Sequence, residues 1–172
     1  GLRMVKLSLN RRRFIASLGA FAAMPQVAQA EDYVDLEWTD LLPAGQSAPP
    51  LMIPELLQHN QAPLSSQQPS SHGVRTDWNG QVVRLPGFIL PIDYSGKGVT
   101  AFILVPFVGA CVHVPPPPAN QLVFVTTNDP YESTGLYEPV NVIGMFGTAS
   151  MSTQLADIAY ALSADKIVPY KS

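Results

Sequence analysis

The sequence predicts a mainly β domain that folds as a small barrel or sandwich. Segments rich in β-branched and aromatic residues recur from residue 74 onward, and short polar turns separate them. Proline and glycine interrupt the longest apolar run, which argues against a helix there. Two segments, VVRLPGFILPI and PVNVIGMF, hold a glycine inside the β-run, which permits the tight coiling of a small barrel. We therefore expect a small closed or partly open barrel, OB-like, of five or six strands.

The elements before the barrel are predicted from composition. Residues 31–43 mix acidic and apolar residues and are compatible with a short helix that ends before Pro43. Residues 44–74 are rich in Gln, Ser and Pro, and we expect a long surface excursion that is partly disordered. His59 and His72 both fall in this excursion and are expected to be exposed loop histidines.

The barrel strands follow in order. We predict strands at residues 81–93, at 98–115 as two strands or one bent strand, at 121–127 and at 136–148. Residues 151–162 are compatible with an amphipathic helix, and the final IVPY is compatible with a closing strand. The large aromatic residues expected in the core are Trp38, Trp78, Phe88 and Phe102.

The first thirty residues carry the features of an export signal. A head with five basic residues precedes an apolar stretch that is shorter than the about 20 residues needed to span a bilayer. The A-Q-A at 28–30 is a cleavage signal, and R-R-x-F-I at 11–15 resembles a twin-arginine signal. We expect a periplasmic protein without a stable membrane anchor after cleavage, divided into a signal at 1–30, an extension at 31–74 and a barrel at 75–172.

The charge of the remaining chain excludes some partners. Removal of the signal leaves five basic and thirteen acidic residues, which is a net charge of −8. Nucleic-acid binding needs a basic surface, so this balance argues against it, and it also argues against binding to anionic lipid. The acidity is compatible with cation binding, although it also serves solubility.

The stretch GACVHVPPPPANQ, residues 109–121, holds the only cysteine of the chain. One cysteine cannot form an internal disulfide, and an exported protein occupies an oxidising compartment. A free thiol persists there when it is buried, bound to a metal or paired with a partner. This stretch is therefore the first candidate site.

Three segments carry a family resemblance: VRLPGFILPID, AFILVPFVGACVHVPPPPANQLVFV and PVNVIGMF. They are similar to segments of an uncharacterised bacterial family of exported proteins and lipoproteins, domain of unknown function 3299, which has a G-A-C-x-H-x-P-P-P-P-x-N-Q signature. The resemblance covers roughly residue 31 to the C-terminus, including the W-x-D-L-x-P-like element at 38–43. It implies a location in the cell envelope and no established activity.

Cys111 and His113 are the candidate metal ligands. On a strand they would point to the same face, about 6 to 7 Å apart at their Cα atoms. A thiolate and an imidazole favour zinc or copper over calcium or magnesium. A structural zinc site wants four ligands, and the residues that could complete the shell are Asp93, Glu138, Met145, His59 and His72.

The prolines suggest a second role for the same stretch. Four consecutive prolines form a stiff polyproline II segment that an aromatic groove on a partner can bind. The candidate partner-binding residues are Pro115, Pro116, Pro117, Pro118, Asn120 and Gln121. Asn120 and Gln121 are equally compatible with capping the turn that closes the proline loop.

Two other roles are possible for Cys111, as a nucleophile and as a packed core side chain. A neighbouring imidazole can lower the pKa of a thiol and create a Cys–His nucleophile pair, although side chains at i and i+2 are poorly placed for proton transfer. Alternatively, Cys111 packs as a small apolar side chain in the core of a purely structural or interaction domain. We expect a monomeric, non-enzymatic accessory protein that binds a metal ion, zinc or copper, or a cell-envelope protein partner through Gly109–Gln121.

Overall fold

Five long strands form a barrel, and a two-residue strand lies beside the first of them. The computed structural model describes residues 32–47 and 63–171. The strands are β1 (Val34–Asp35), β2 (Val82–Ser95), β3 (Gly98–Val105), β4 (Val123–Tyr131), β5 (Pro139–Ser152) and β6 (Asp157–Pro169). The helical elements in these two ranges are 3-10 turns at Trp38–Leu41, Leu64–Gln67 and Ala119–Gln121. No helix in this part of the chain has the length and apolar character needed to cross a membrane.

The barrel closes because β2 pairs with β5. One half of β2 pairs antiparallel with β3, and the other half pairs antiparallel with β5, from Val82↔Met145 to Phe88↔Pro139. β3 pairs with β4, β4 pairs in parallel with β6, and β6 pairs antiparallel with β5. Around the barrel the strands lie in the order β2, β3, β4, β6, β5. If the five barrel strands are numbered 1 to 5 along the chain, this order is 1-2-3-5-4, which is the connectivity of an OB fold. The predicted mainly β, OB-like barrel is confirmed.

The interior of the barrel is one apolar core to which every barrel strand contributes. Strands place alternate side chains inward, as barrel closure requires. Its strand members include Val83, Leu85, Ile89, Val99, Phe102, Leu104, Val123, Val125, Val140, Val142, Phe146, Tyr160, Leu162 and Ala164. Leu36 and Leu41 of the N-terminal extension join this core, and Trp38 and Trp78 pack against it. The extension therefore packs as part of the barrel.

A second apolar cluster, here called the outer cluster, lies on the outside of the barrel. Its members are Leu90, Ile103, Val105 and Leu122 from the strands or their ends, Ala110, Cys111 and Tyr137 from connecting segments, and Ala156 and Ile158 from the β5–β6 hairpin. Ile103 and Val105 point outward because they alternate with Phe102 and Leu104, which belong to the interior. Phe88 is partly buried against the outer cluster rather than inside the barrel.

The two segments compatible with helices fold differently. Residues 151–162 comprise the end of β5, a turn and the start of β6. The turn forms because Thr153 Oγ1 accepts hydrogen bonds from the N–H groups of Leu155 and Ala156, and such local bonds compete with helix formation. The described part of residues 31–43 holds β1 and one 3-10 turn. The predicted strand at 98–115 ends at Val105, and a turn follows.

Candidate functional site

The segment between β3 and β4 forms a tight turn followed by a buried proline run. The carbonyl oxygen of Gly109 accepts hydrogen bonds from the N–H groups of Val112, His113 and Val114, at 3.4, 2.9 and 3.1 Å. Gly109 has φ +98° and Cys111 has φ +68°, so both residues adopt the left-handed conformation that such a turn requires. We call residues 109–114 the signature turn.

The expectation that Cys111 and His113 share one strand face is wrong. Both lie in the signature turn, where side chains do not alternate between two faces. Cys111 is 3% exposed and belongs to the outer cluster, whereas His113 is exposed to solvent. The two side chains therefore occupy different environments, and the geometric argument for a shared metal ion fails.

The thiol of Cys111 is held in its protonated form. Burial raises the pKa of Cys111 from 9.0 to about 12, because the apolar surroundings disfavour the thiolate. Burial also raises the pKa of the neighbouring Tyr137 to about 12, and the hydroxyl of Tyr137 donates a 2.6 Å hydrogen bond to the carbonyl oxygen of Ala110. A protonated, buried thiol is a poor nucleophile, so this arrangement does not support the Cys–His enzyme alternative.

No metal site assembles from the described side chains. In residues 32–47 and 63–171, no group of three or more His, Cys, Asp or Glu side chains is arranged to hold an ion. Asp93 and His72 are exposed, Met145 is 55% exposed, and the Glu138 carboxylate accepts hydrogen bonds from the Tyr131 hydroxyl and the Thr134 N–H. His59 lies outside the described residues. The described residues thus add no further ligand to Cys111 or His113, and zinc or copper binding stays a prediction from the sequence.

The proline run is buried, which corrects the expectation of an exposed polyproline ligand. Pro115, Pro116, Pro117 and Pro118 are all buried. The carbonyl oxygen of Pro117 accepts a 2.9 Å hydrogen bond from Gln68 Nε2, so the N-terminal extension lies against the run. An aromatic groove on a partner cannot reach these rings in this conformation.

Asn120 and Gln121 also contact the N-terminal extension through hydrogen bonds. Asn120 is 1% exposed and donates from Nδ2 to the carbonyl oxygen of Gly73, at 3.0 Å. Gln121 is 3% exposed and donates from Nε2 to the carbonyl oxygen of Trp38, at 2.9 Å. Both residues therefore fasten the extension to the barrel rather than presenting side chains to a partner.

Sequence reasoning missed three residues that organise this region. Gln68 also donates to the carbonyl oxygen of Asp157 and accepts from its N–H group, both at 2.8 Å. Tyr160 donates from its hydroxyl to the Leu41 carbonyl oxygen at 2.7 Å and accepts from the Arg75 N–H at 2.8 Å. Tyr137 is the third. All these contacts join residues far apart in sequence, so no local pattern signals them.

The outward side of the same region is apolar and accessible. Val108 is 62% exposed, Val112 is 40% exposed, and Leu136 is 51% exposed beside Tyr137 in sequence. The ring of His113 lies 6.3 Å from the ring of Tyr137, and the described residues give it no hydrogen bond or ion pair. Residues 106–114 thus combine buried side chains with two exposed valines.

Comparison with known proteins places the fold in a family. The model of a family described as a protein of unknown function, DUF3299, matches residues 38–169. The crystal structure of a DUF3299 family protein from Pseudomonas aeruginosa PAO1 is 39% identical in sequence, with a TM-score of 0.74. The alignment covers 81% of this chain and 97% of that one. None of the curated proteins matches. By sequence and by fold, this chain belongs to the DUF3299 family.

Proposed function

We propose that this protein is an exported accessory protein of the bacterial cell envelope that binds a protein partner. The observation that carries the proposal is a pair of exposed valines in residues 106–114. There Val108 and Val112 are 62% and 40% exposed, although Ala110 and Cys111 of the same segment pack into the outer cluster. Apolar side chains held on a structured turn gain free energy when a partner removes them from water.

The charge and the chemistry of the region support a protein partner over other classes. A net charge of −8 after removal of the predicted signal disfavours nucleic acid. The buried, protonated thiol of Cys111 disfavours a thiol-dependent reaction. Exposed valines next to the polar ring of His113 have the composition of an apolar contact with a polar rim.

One feature of the sequence and one of the structure support export. Residues 1–30 combine a basic head, a short apolar stretch and an A-Q-A cleavage signal. The single cysteine is 3% exposed, which protects a free thiol in an oxidising compartment. Export would place the protein in the periplasm, where a cell-envelope partner is available.

Site-specific photo-crosslinking in cells tests the proposal. A benzoylphenylalanine replaces Val112 in one strain and Tyr94 in a control strain, because Tyr94 is 62% exposed but lies in the β2–β3 hairpin. We expect a discrete adduct in the envelope fraction from position 112 and none from position 94. Val108→Asp, an exposed substitution, should weaken binding of the purified partner by about tenfold or more.

Three outcomes would contradict the proposal. Adducts of equal yield from positions 112 and 94 would indicate non-specific contact. Absence of any adduct from position 112 would remove the surface from consideration. A partner whose affinity is unchanged by Val108→Asp would bind elsewhere on the protein.

A further inference from the structure

We propose that residues 106–114 form a lid that closes the outer face of the barrel and opens without unfolding the barrel. The segment covers Ile103 and Val105 on β3 and Leu122 just before β4. The second and third barrel strands form the face by which OB folds bind their ligands. In this protein the lid covers part of that face.

The barrel is complete without the lid. The strand pairings of β2, β3 and β4 include no residue from 106–114. In the described residues, the lid's one β-bridge, Ala110↔Val114, is internal, and its backbone hydrogen bonds all end on the Gly109 carbonyl oxygen. Opening therefore breaks no strand pairing.

A single hydrogen bond fastens the lid to the rest of the described protein. It runs from the Tyr137 hydroxyl to the Ala110 carbonyl oxygen, at 2.6 Å. On the two sides of this contact, Cys111 has φ +68° and Tyr137 has φ +62°, and these are the two described non-glycine residues with positive φ. Such conformations are disfavoured for residues with side chains, and they persist only when surrounding contacts hold them. The closed lid is therefore a strained state with one polar latch.

The ends of the lid are fixed while its middle can turn. Val105 ends β3 and pairs with Phe88 of β2, and the proline run begins at Pro115. The run is stiff, and Gln68 holds it through the Pro117 carbonyl oxygen. Gly109, at φ +98°, lies close to the middle of the lid and is a position where the lack of a Cβ leaves the backbone few steric limits.

Thiol labelling measures lid opening directly, because Cys111 is the only cysteine and is 3% exposed when the lid is closed. The purified protein is treated with dithionitrobenzoate at pH 8 over a series of urea concentrations. Local opening exposes little surface, so its rate barely depends on urea, whereas global unfolding depends steeply on urea. We expect a flat labelling rate at low urea that becomes steep only near the unfolding midpoint.

Two tyrosine variants separate the latch from general stability. Tyr137→Phe removes the latch and should accelerate labelling at zero urea about tenfold, as expected for one lost buried hydrogen bond. Tyr160→Phe is the matched control, because it removes a buried hydroxyl bonded to Leu41 and Arg75, away from the lid. It should lower the unfolding midpoint and leave labelling at zero urea unchanged.

A second pair of variants tests the lid without touching either tyrosine. Gly109→Ala strains the closed lid and should accelerate labelling, while Gly96→Ala, also at positive φ but in the β2–β3 turn, should not. Labelling that shows the full urea dependence of global unfolding would overturn the proposal. Equal acceleration by Tyr137→Phe and Tyr160→Phe would overturn it as well.

Discussion

The interior core and the outer cluster are both apolar and buried, but they are built in different ways. Every barrel strand contributes to the interior, and its members follow the two-residue alternation of β-strands. The outer cluster joins a few outward strand residues to irregular segments, and two of its members, Cys111 and Tyr137, adopt positive φ. The interior is therefore encoded locally and repeatedly, whereas the outer cluster depends on single long-range contacts.

This difference predicts where the protein tolerates change. The interior is tightly constrained because close-packed strands leave no room for added atoms. In the outer cluster, one side-chain hydrogen bond, from Tyr137 to Ala110, joins the lid to the barrel, and Cys111 and Tyr137 have strained backbones. This cluster should therefore open locally under conditions in which the interior stays folded. The following experiments sharpen this contrast, from the largest expected effect to the smallest.

The largest effect is expected inside the barrel at Gly144, where β5 approaches β6. An added Cβ would collide with the backbone carbonyl oxygen of Ser163 and lie 2.8 Å from the Ala164 Cα. Backbone must shift to relieve the clash, so Gly144→Ala should cost about 3 kcal/mol or prevent folding. Gly147→Ala on the same strand meets no atom within 4 Å, so it should leave the free energy of unfolding, measured by urea denaturation, unchanged or raise it by up to about 1 kcal/mol. Similar losses in both variants would contradict the close approach.

A smaller effect, a fall of about 1 kcal/mol in the free energy of unfolding between pH 9 and pH 10, is expected in the outer cluster. Burial raises the pKa of Cys111 from 9.0 to about 12, so the folded state retains a proton that the unfolded state releases. The stabilisation is complete below pH 9 and is lost as pH rises toward 12. The free energy of unfolding should therefore fall above pH 9, with a slope approaching about 1.4 kcal/mol per pH unit. Cys111→Ala should flatten the curve between pH 9 and 10, and an unchanged curve would show that the thiol is not shielded.

The smallest effect on stability is expected at His113. Variants of His113 and Cys111 also test the predicted metal site. His113 is exposed, so His113→Ala should change the free energy of unfolding by about 0.5 kcal/mol or less. Zinc and copper(I) are titrated into the reduced protein and into Cys111→Ala and His113→Ala. We expect no tight site that depends on both residues, because Cys111 is buried while His113 faces solvent. Stoichiometric binding lost in both variants would instead establish the pair as ligands after a rearrangement of the turn.

Most of the fold could be predicted because its signals are local. The runs at 81–93 and 121–127 correspond to β2 and the start of β4, since their β-branched residues alternate with the strand period. The segment at 151–162 was not predictable from periodicity, because its apolar spacing fits a helix and a hairpin alike. The hydroxyl of Thr153 decides between them by closing a turn.

The geometry of the candidate site differs from the one expected from the sequence. The sequence directs attention to residues 109–121, which do form an unusual structure. A two-residue spacing of Cys111 and His113 implies a shared face only on a strand, and the left-handed backbone of Cys111 removes that condition. Likewise, four prolines predict a stiff segment, but nothing local indicates that the run is buried and bonded to Gln68 of the extension.

The sequence by itself determined the β-class, a small OB-like barrel of five or six strands, the family and the segment of interest, because periodicity, composition and a specific motif are properties of neighbouring residues. Only the tertiary structure decided which side of that segment is buried. Tyr137 meets Ala110 across 27 residues, and Gln121 meets Trp38 across 83. Contacts between residues so far apart depend on how the whole chain folds. They therefore set the burial of the side chains in residues 109–121, and the pKa of Cys111 among them, independently of the local sequence pattern.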